Sequence, residues 1–583
     1  MTMSTAGTEA PRLRRRDPAA APQTEAADRQ PKSRVRTYAF GVFIAAALLY
    51  GILVTFTYSG DDLQYASLIQ HYATGQIFYY PTGSQPYLPH ANASHDSLPL
   101  NPRYLLEWPT SLLAAKIAYL SNWSGTVIAP IQALRILVGA FGLSMFFLAV
   151  VRVVASIPLG LLATAGLGLT VSYLTYSTHT DQSINMVAIL CLAFAIFVHQ
   201  TQSGITRRGL LLLIAVLALA TLYNLTAVIG VIAFGVGIAL FSQHTTLMGR
   251  LRTLIAFGIA YTVVVASIIA AAIAVFAGPA RLLDPAFWRD ASFAGRPDYL
   301  VDPVHDGVRA AFGLGRSQIL LPGVYGSLND YIETTTSVAR LLTMGYYGVV
   351  LLILMSPFVL FALRSRKFGP KGKIVVVLVI WFLAHALFNW FWDPGYNKYW
   401  LMPMVCCWAM FALALDHLHT MPARYYRPAV VGLSAFVCVS FVVNLSSQFW
   451  PDSRAADNQL LASATRMGTD SQPADLFLSP GHPMDFYISF FSHRDILSAD
   501  LASLAYGNEE SSVENAFTSR ITAHIADKGE IYVYGLETLD EKHRSAFVKL
   551  LGNGTLTEKW VLPGTTVYRW NRIPCNGIKV HCT

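Results

Sequence analysis

Apolar residues run through this chain in long blocks, not in strict alternation, and the blocks decide the fold class. Segments at 38–57, 126–150, 157–176, 184–199, 209–222, 225–241, 254–277, 341–363, 374–392, 400–415 and 429–445 approach the length that crosses about 30 Å of hydrocarbon as a helix. The expected fold is therefore mostly α, a polytopic membrane protein of about 11 transmembrane helices. The fifth and sixth segments are short enough to be one broken pair.

Between and after the blocks lie three polar stretches too long to be plain turns. The first, 58–125, opens with apolar residues at helical spacing over 63–72, and then Pro81, Gly83, Pro86, Pro89, Pro99 and Pro102 break it into turns. Its last part, 105–120, is apolar but interrupted by Glu107, Pro109 and Lys116 and flanked by Trp108 and Trp123, which predicts an interfacial helix along the membrane surface. A loop of this size with its own amphipathic helix usually walls a site or covers it. The second, 278–340, mixes Arg281, Arg289, Arg296, Arg309 and Arg316 with Asp284, Asp290, Asp298, Asp302 and Asp306 and reads mainly as a solvated face. The third, 448–583, has a soluble composition. Strands are expected at 475–479, 486–491, 530–535 and 560–570, with a helix over 511–527, giving an extracytoplasmic α/β domain to which no chemistry is assigned.

Composition agrees with a membrane protein: 54% of the 583 residues are hydrophobic and 13% charged, against about 25% charged in a soluble domain. Mean hydropathy is +0.44. Lys and Arg are retained on the cytoplasmic side, and they crowd the N-terminal tail and alternate connections at Arg152, Arg207, Arg250, Arg364 and Arg424. That pattern predicts a cytoplasmic N-terminus, with a disordered tail over 1–37, and a C-terminal domain outside, in what is expected to be a bacterial inner membrane. The net charge of +8 then reflects topology, and no basic helix or stacking motif points to nucleic acid. Cys191, Cys406, Cys407 and Cys438 lie in apolar segments and behave as small hydrophobes. Cys575 and Cys582 lie in the outward region, where a disulfide is plausible.

Polar residues at the outer rim carry the candidate chemistry. Asp61 and Asp62 directly follow the first span, and since a carboxylate costs roughly 2.5–3.5 kcal/mol at a bilayer centre, they belong just beyond the hydrocarbon. Alone, such a pair is as readily an ordinary solvated loop. The outward turn after the third span holds His179 and Asp181, Arg135 sits near the outer end of the second span with several acidic partners in reach, and Lys398 is the sole base in any short outward turn. His385, Asn389 and Asp393 lie at i, i+4 steps on one helix face. A carboxylate to take a proton and a cation to neutralise a phosphate together describe group transfer from a lipid phosphate to a hydroxyl acceptor.

The acidic pair after the first helix, the large outward loop with an interfacial helix, the acid after the third helix and the Lys398-Tyr399-x-x-x-Pro403 turn resemble the GT-C superfamily of membrane glycosyltransferases. The likeness is strongest to the branch of protein O-mannosyltransferases and lipid A aminoarabinose transferases, and it covers 38–445. It implies an inverting transfer of a sugar from a polyprenyl-phosphate donor to an extracytoplasmic acceptor, lipid, glycan or protein. By position Asp61 would be the base, Asp62 its partner and Asp181 a second acid. Lys398 and Tyr399 would neighbour the donor phosphate, with Arg135, His179 and Glu107 as further substrate-binding residues. Asp-Asp stands where the mannosyltransferases favour Asp-Glu, and the C-terminal domain resembles neither a lectin-like β-trefoil insert nor the oligosaccharyltransferase domain, so donor sugar and acceptor stay open. No strong ligand spacing marks a metal site, although Asp61 and Asp181 would suit Mg²⁺ or Mn²⁺. The competing readings are a transporter or lipid flippase, which would place charges deep within helices, and a non-enzymatic envelope scaffold.

Overall fold

The computed structural model describes residues 32–74, 105–242, 246–276, 278–285, 303–321, 336–364, 371–499, 529–551, 554–562 and 565–572, with isolated positions between 518 and 524. The first apolar block forms α1 (Lys32–Ile52), which begins inside the stretch expected to be a disordered tail. An extended segment then leads into α2 (Gly60–Thr74), and the interfacial segment forms α3 (Glu107–Leu120). The following blocks give α4 (Ile128–Val154), α5 (Ile157–Gly168), α6 (Val171–Thr178), α7 (Ser183–Ser203), α8 (Arg207–Tyr223), α9 (Ala227–Phe241) and α10 (Leu247–Phe276). After them come α11 (Pro303–Gln318), α12 (Ser337–Arg364), α13 (Gly372–Trp392), α14 (Leu401–His419) and α15 (Ala423–Asn444).

Among the described residues, eight helices are long and apolar enough to cross a membrane, or nine if the bent pair α5 and α6 is one span. That is fewer than the eleven segments counted along the sequence. The difference lies in α8 and α9, of 17 and 15 residues, the two blocks whose shortness marked them as a broken pair. The block at 157–176 is not one straight helix: α5 and α6 meet at 67°, where the Thr170 side chain caps a new helix by accepting from Tyr173 N.

The bundle packs around α14, which with the turn before it is 89% buried. Gly166 on α5 lets the Trp408 ring of α14 approach to where a Cβ would stand 2.1 Å away. Cys191, Cys406 and Cys407 are buried in this core, while Cys438 is exposed on the outer face of α15. Helices α1, α10, α12 and α15 show most of their apolar surface to the outside, as lipid-facing spans do.

At one end of the bundle sits the C-terminal domain, a five-stranded sheet in the order β2-β1-β3-β5-β4. Strands β1 (Leu476–Ser479), β2 (Asp495–Ser498) and β3 (Ile531–Val533) are parallel, and β4 (Gly554–Leu562) and β5 (Thr565–Arg572) add an antiparallel hairpin. Two expected strands differ. Residues 486–491 are helical, in Met484–Tyr487 and the turn after it, because their consecutive apolar residues fill the space between the sheet, α2 and α16 (Gln459–Asp470). The stretch 560–570 is not one strand but the two arms of the hairpin, divided where the sequence reads Pro563-Gly564. Strand β2 went unpredicted, and the expected helix at 511–527 falls largely outside the described residues, as do Cys575 and Cys582.

The domain rests on the first polar stretch. Tyr487, Phe490 and Tyr532 share one apolar cluster with Tyr58, Leu63 and Trp108, and with Ile128 at the start of α4. We call this side of the bundle the domain end.

Candidate active site

The extended segment between α1 and α2 is held residue by residue. Gln132 Nε2 donates to Thr55 O at 2.8 Å, Phe56 N donates to Asp452 O at 2.7 Å, and Asn458 Nδ2 donates to Phe56 O at 2.6 Å. Thr57 Oγ1 donates to Asp452 Oδ1 at 3.0 Å. The Tyr487 hydroxyl bridges one residue, accepting from Tyr58 N at 2.7 Å and donating to Tyr58 O at 3.1 Å. The C-terminal part of the chain thus fixes the backbone that delivers Asp61 and Asp62.

Ser59 and Asp62 then start α2 as a reciprocal pair: Ser59 N donates to Asp62 Oδ2 at 2.9 Å and Asp62 N donates to Ser59 Oγ at 3.2 Å, the geometry of a capping box with Asp at its third position. Asp62 does more than cap. Thr180 Oγ1 donates to its Oδ1 at 2.7 Å and His179 Nδ1 lies 3.2 Å from its Oδ2. Burial alone would raise the Asp62 carboxyl, but the His179 ring, the Thr180 hydroxyl and the Ser59 amide hold it well below the usual carboxylate range. For His179, burial would lower the imidazole, and the bond to Asp62 with the charges of Asp62, Asp452 and Asp181 raises it instead. Each group of this largely buried pair therefore favours the charged form of the other. Asp61 is on the first turn of α2, and its side chain lies outside what the structure describes.

The same short turn, 179–182, carries the second pair. Asp181 Oδ1 accepts from Ser183 N, the first amide of α7, at 2.7 Å, and its Oδ2 meets Lys398 Nζ at 2.5 Å. Lys398 is 9% exposed. Its turn is pinned to α6, since Tyr176 Oη donates to Asn397 Oδ1 at 3.0 Å and Ser172 Oγ to Asn397 O at 3.2 Å. Tyr399 presents its carbonyl to Asn389 Nδ2 at 2.8 Å, and both residues line a cleft beside Lys398. So Asp62, His179, Asp181 and Lys398, distant in sequence, meet at the domain end, with Tyr399 adjoining.

Glu107 and Arg135 lie beneath the 179–182 turn. Both side chains are fully buried and bonded to each other, with Ser111 Oγ donating to Glu107 Oε1 at 2.7 Å and Asn185 Nδ2 to Glu107 Oε2 at 3.1 Å. Burial pushes the Glu107 carboxyl up, against the pull of the Arg135 guanidinium. In the structure these contacts tie α3, α4 and α7 together. Arg135 Nε also reaches Thr180 O at 3.4 Å, so the tie supports the turn that holds Asp62.

Sequence reasoning passed over Asp452, Thr180, Tyr487 and Asn458. Asp452 carried the signal used for Asp61, an acid just after an apolar span, whereas Tyr487 and Asn458 left none. Among the described residues no group of three or more His, Cys, Asp or Glu side chains is arranged to hold a metal ion. The oxygens of Asp62 and Asp181 are directed at protein donors, and the Asp61 side chain, expected with Asp181 to suit Mg²⁺ or Mn²⁺, lies outside the described residues.

No protein-family model matches the sequence, and no curated protein sequence matches it. Solved structures do match. ArnT from Cupriavidus metallidurans bound to undecaprenyl phosphate superposes with a TM-score of 0.55 at 12% identity, over 92% of this chain and 98% of that one. The same protein in the apo state gives 0.50 at 13% identity, over 91% and 98%. From the first span to the C-terminal sheet, this chain has the GT-C membrane fold.

Proposed function

We propose that the chain is an inverting glycosyltransferase, an integral membrane enzyme that moves a sugar from a polyprenyl-phosphate donor onto a hydroxyl of an extracytoplasmic lipid, glycan or protein. The observation that carries this reading is the joining of two pairs by one turn: His179 with Asp62, and two residues on Asp181 with Lys398. The fold adds support, since ArnT, which shares it, has been solved bound to undecaprenyl phosphate.

The chemistry follows from those groups. Asp62 has its oxygens occupied by donors and is held below the usual carboxylate range, so it is a poor proton acceptor and an effective anchor. Its neighbour Asp61 is the base. It takes the proton of the acceptor hydroxyl, whose oxygen attacks the anomeric carbon from the face opposite the phosphate. The bond from that carbon to the phosphate oxygen breaks, its electron pair leaves with the phosphate, and configuration inverts. The leaving phosphate is a stable anion and needs charge neutralisation, not a general acid. Lys398 supplies that, its ammonium held in place by Asp181.

The test is transfer from a polyprenyl-phosphate sugar by protein in proteoliposomes. Asp61→Asn is expected to lower the rate at least about 100-fold at equal folded protein, and Lys398→Ala to weaken use of the donor. Unchanged transfer by Asp61→Asn would overturn the assignment of the base, and transfer by neither wild type nor variant would overturn the reading.

A further inference from the structure

The end of the bundle away from the C-terminal domain holds the start of α1 and the end of α4, packed side by side. Ser144 Oγ of α4 donates to Ala39 O of α1 at 2.8 Å, and Ala39, Phe147, Val151 and Ile157 form one buried cluster with Val35 packed against it. Arg36 and Arg152 directly follow Val35 and Val151. The helix pair therefore brings two guanidiniums to one edge of the bundle, near enough for their charges to repel.

Among the described residues no acid offsets that repulsion, and neither Arg is in an ion pair. Elsewhere at the same end the fold does supply an acid, since Lys371 Nζ lies 2.5 Å from Asp416 Oδ2. Arg152 is half-buried, and its Nη1 donates to Ala195 O on α7 at 3.1 Å, which fixes the guanidinium and leaves it further N–H donors for an acceptor. Arg36 is exposed and heads a stripe of exposed apolar residues, Phe40, Ile44 and Leu48, at i+4 steps along α1. Two cations at the head of a lipid-facing track call for an anion that carries hydrocarbon. A phosphodiester meets the forked guanidinium with two oxygens, and its acyl chain meets the stripe.

We propose that Arg36 and Arg152 hold the phosphate of an anionic bilayer phospholipid in the leaflet opposite the C-terminal domain, with an acyl chain lying along Phe40, Ile44 and Leu48. The lipid supplies the negative charge that the fold omits between α1 and α4, and so ties the first span to the bundle. The site is at the far end from Asp62 and Lys398 and is independent of the transferase reading.

The experiment is native mass spectrometry of the full chain released from nanodiscs of equal phosphatidylglycerol and phosphatidylcholine, which share the phosphodiester and differ in net charge. Wild type is expected to retain phosphatidylglycerol over phosphatidylcholine by about fivefold or more, the effect of one cation at a lipid surface. Arg36→Gln and Arg152→Gln should each remove most of that preference and the double change all of it, while Arg152→Lys, which keeps a charge, should retain part. Arg36 is exposed, so Arg36→Gln decides the matter if Arg152→Gln does not fold. Arg208→Gln, which removes an exposed cation at the same end, should leave the preference unchanged, and excess glycerol phosphate, the anion without acyl chains, should not displace the lipid. Equal retention of the two lipids by wild type overturns the proposal, as does a preference that survives the double change. An equal loss in Arg208→Gln would make the preference a matter of total charge, and displacement by glycerol phosphate would make the site one for a soluble anion; either overturns the assignment to a bound lipid.

Discussion

Asp62 accepts from Ser59 N, Ser59 Oγ, Thr180 and His179, and its depressed carboxyl together with the raised His179 imidazole fixes a pH window. A raised imidazole stabilises the fold fully below its ordinary value, about 6.5, and that stabilisation is lost as pH climbs through the raised value. A depressed carboxyl stabilises above its ordinary value, about 3.9, and is lost as pH falls through the depressed one. The pair therefore contributes fully between those two ordinary values, and its contribution falls away as pH rises through the raised imidazole value or drops through the depressed carboxyl value. Asp62→Asn removes the strongest of the groups that raise His179, leaving Asp452 and Asp181 against burial, and the imidazole is expected to titrate lower than in wild type, as NMR of histidine-labelled protein would register. A His179 titration that does not move would show that Asp62 is not what raises it. Charge pairing also explains what the sequence hid: Arg135 was legible as an intramembrane cation wanting an acid, but not that Glu107 would be the acid. Removing one member, by Arg135→Met, should cost about 3–5 kcal/mol of stability, and the double change with Glu107→Leu considerably less. Thermal unfolding in detergent checks the order.

At the scale of elements, the apolar blocks marked the spans because hydrocarbon length admits one reading, and α2 and α3 followed from helical spacing. What failed was the C-terminal domain. There, runs such as 486–491 are short and apolar throughout, so periodicity cannot separate a buried strand from a helical turn. The clamp on 55–58 was equally invisible, since its partners Asp452, Asn458 and Tyr487 lie about 400 residues further on. Tyr487→Phe leaves the Tyr58 N–H and carbonyl without their partner, at roughly 1–3 kcal/mol. Transfer is expected to fall with it, while binding of bare polyprenyl phosphate at Lys398 is retained. Wild-type stability and rate in that variant would show that the clamp does not position α2.

Across the whole molecule, the rim residues gathered because the bundle brings the domain ends of α6, α7, α13 and α14 to one place, beneath a domain seated on α2 and α3. Sequence alone gave the side of each residue, since charges at successive span ends face alternate sides, but not which ends are neighbours. Orientation is the expectation that follows. In a background with Cys575 and Cys582 replaced by Ser, a membrane-impermeant maleimide added to intact cells should label Arg454→Cys, at the domain end, and leave Arg208→Cys unlabelled until the membrane is opened. The reverse pattern would put the site on the cytoplasmic side. The most direct measurement of the central claim is a structure of the protein with polyprenyl phosphate bound. The account predicts the phosphate within hydrogen-bond reach of Lys398 Nζ, on the side of the Asp181 pair that opens toward the first turn of α2. A phosphate bound at the opposite end of the bundle, or away from Lys398 at the domain end, would contradict it.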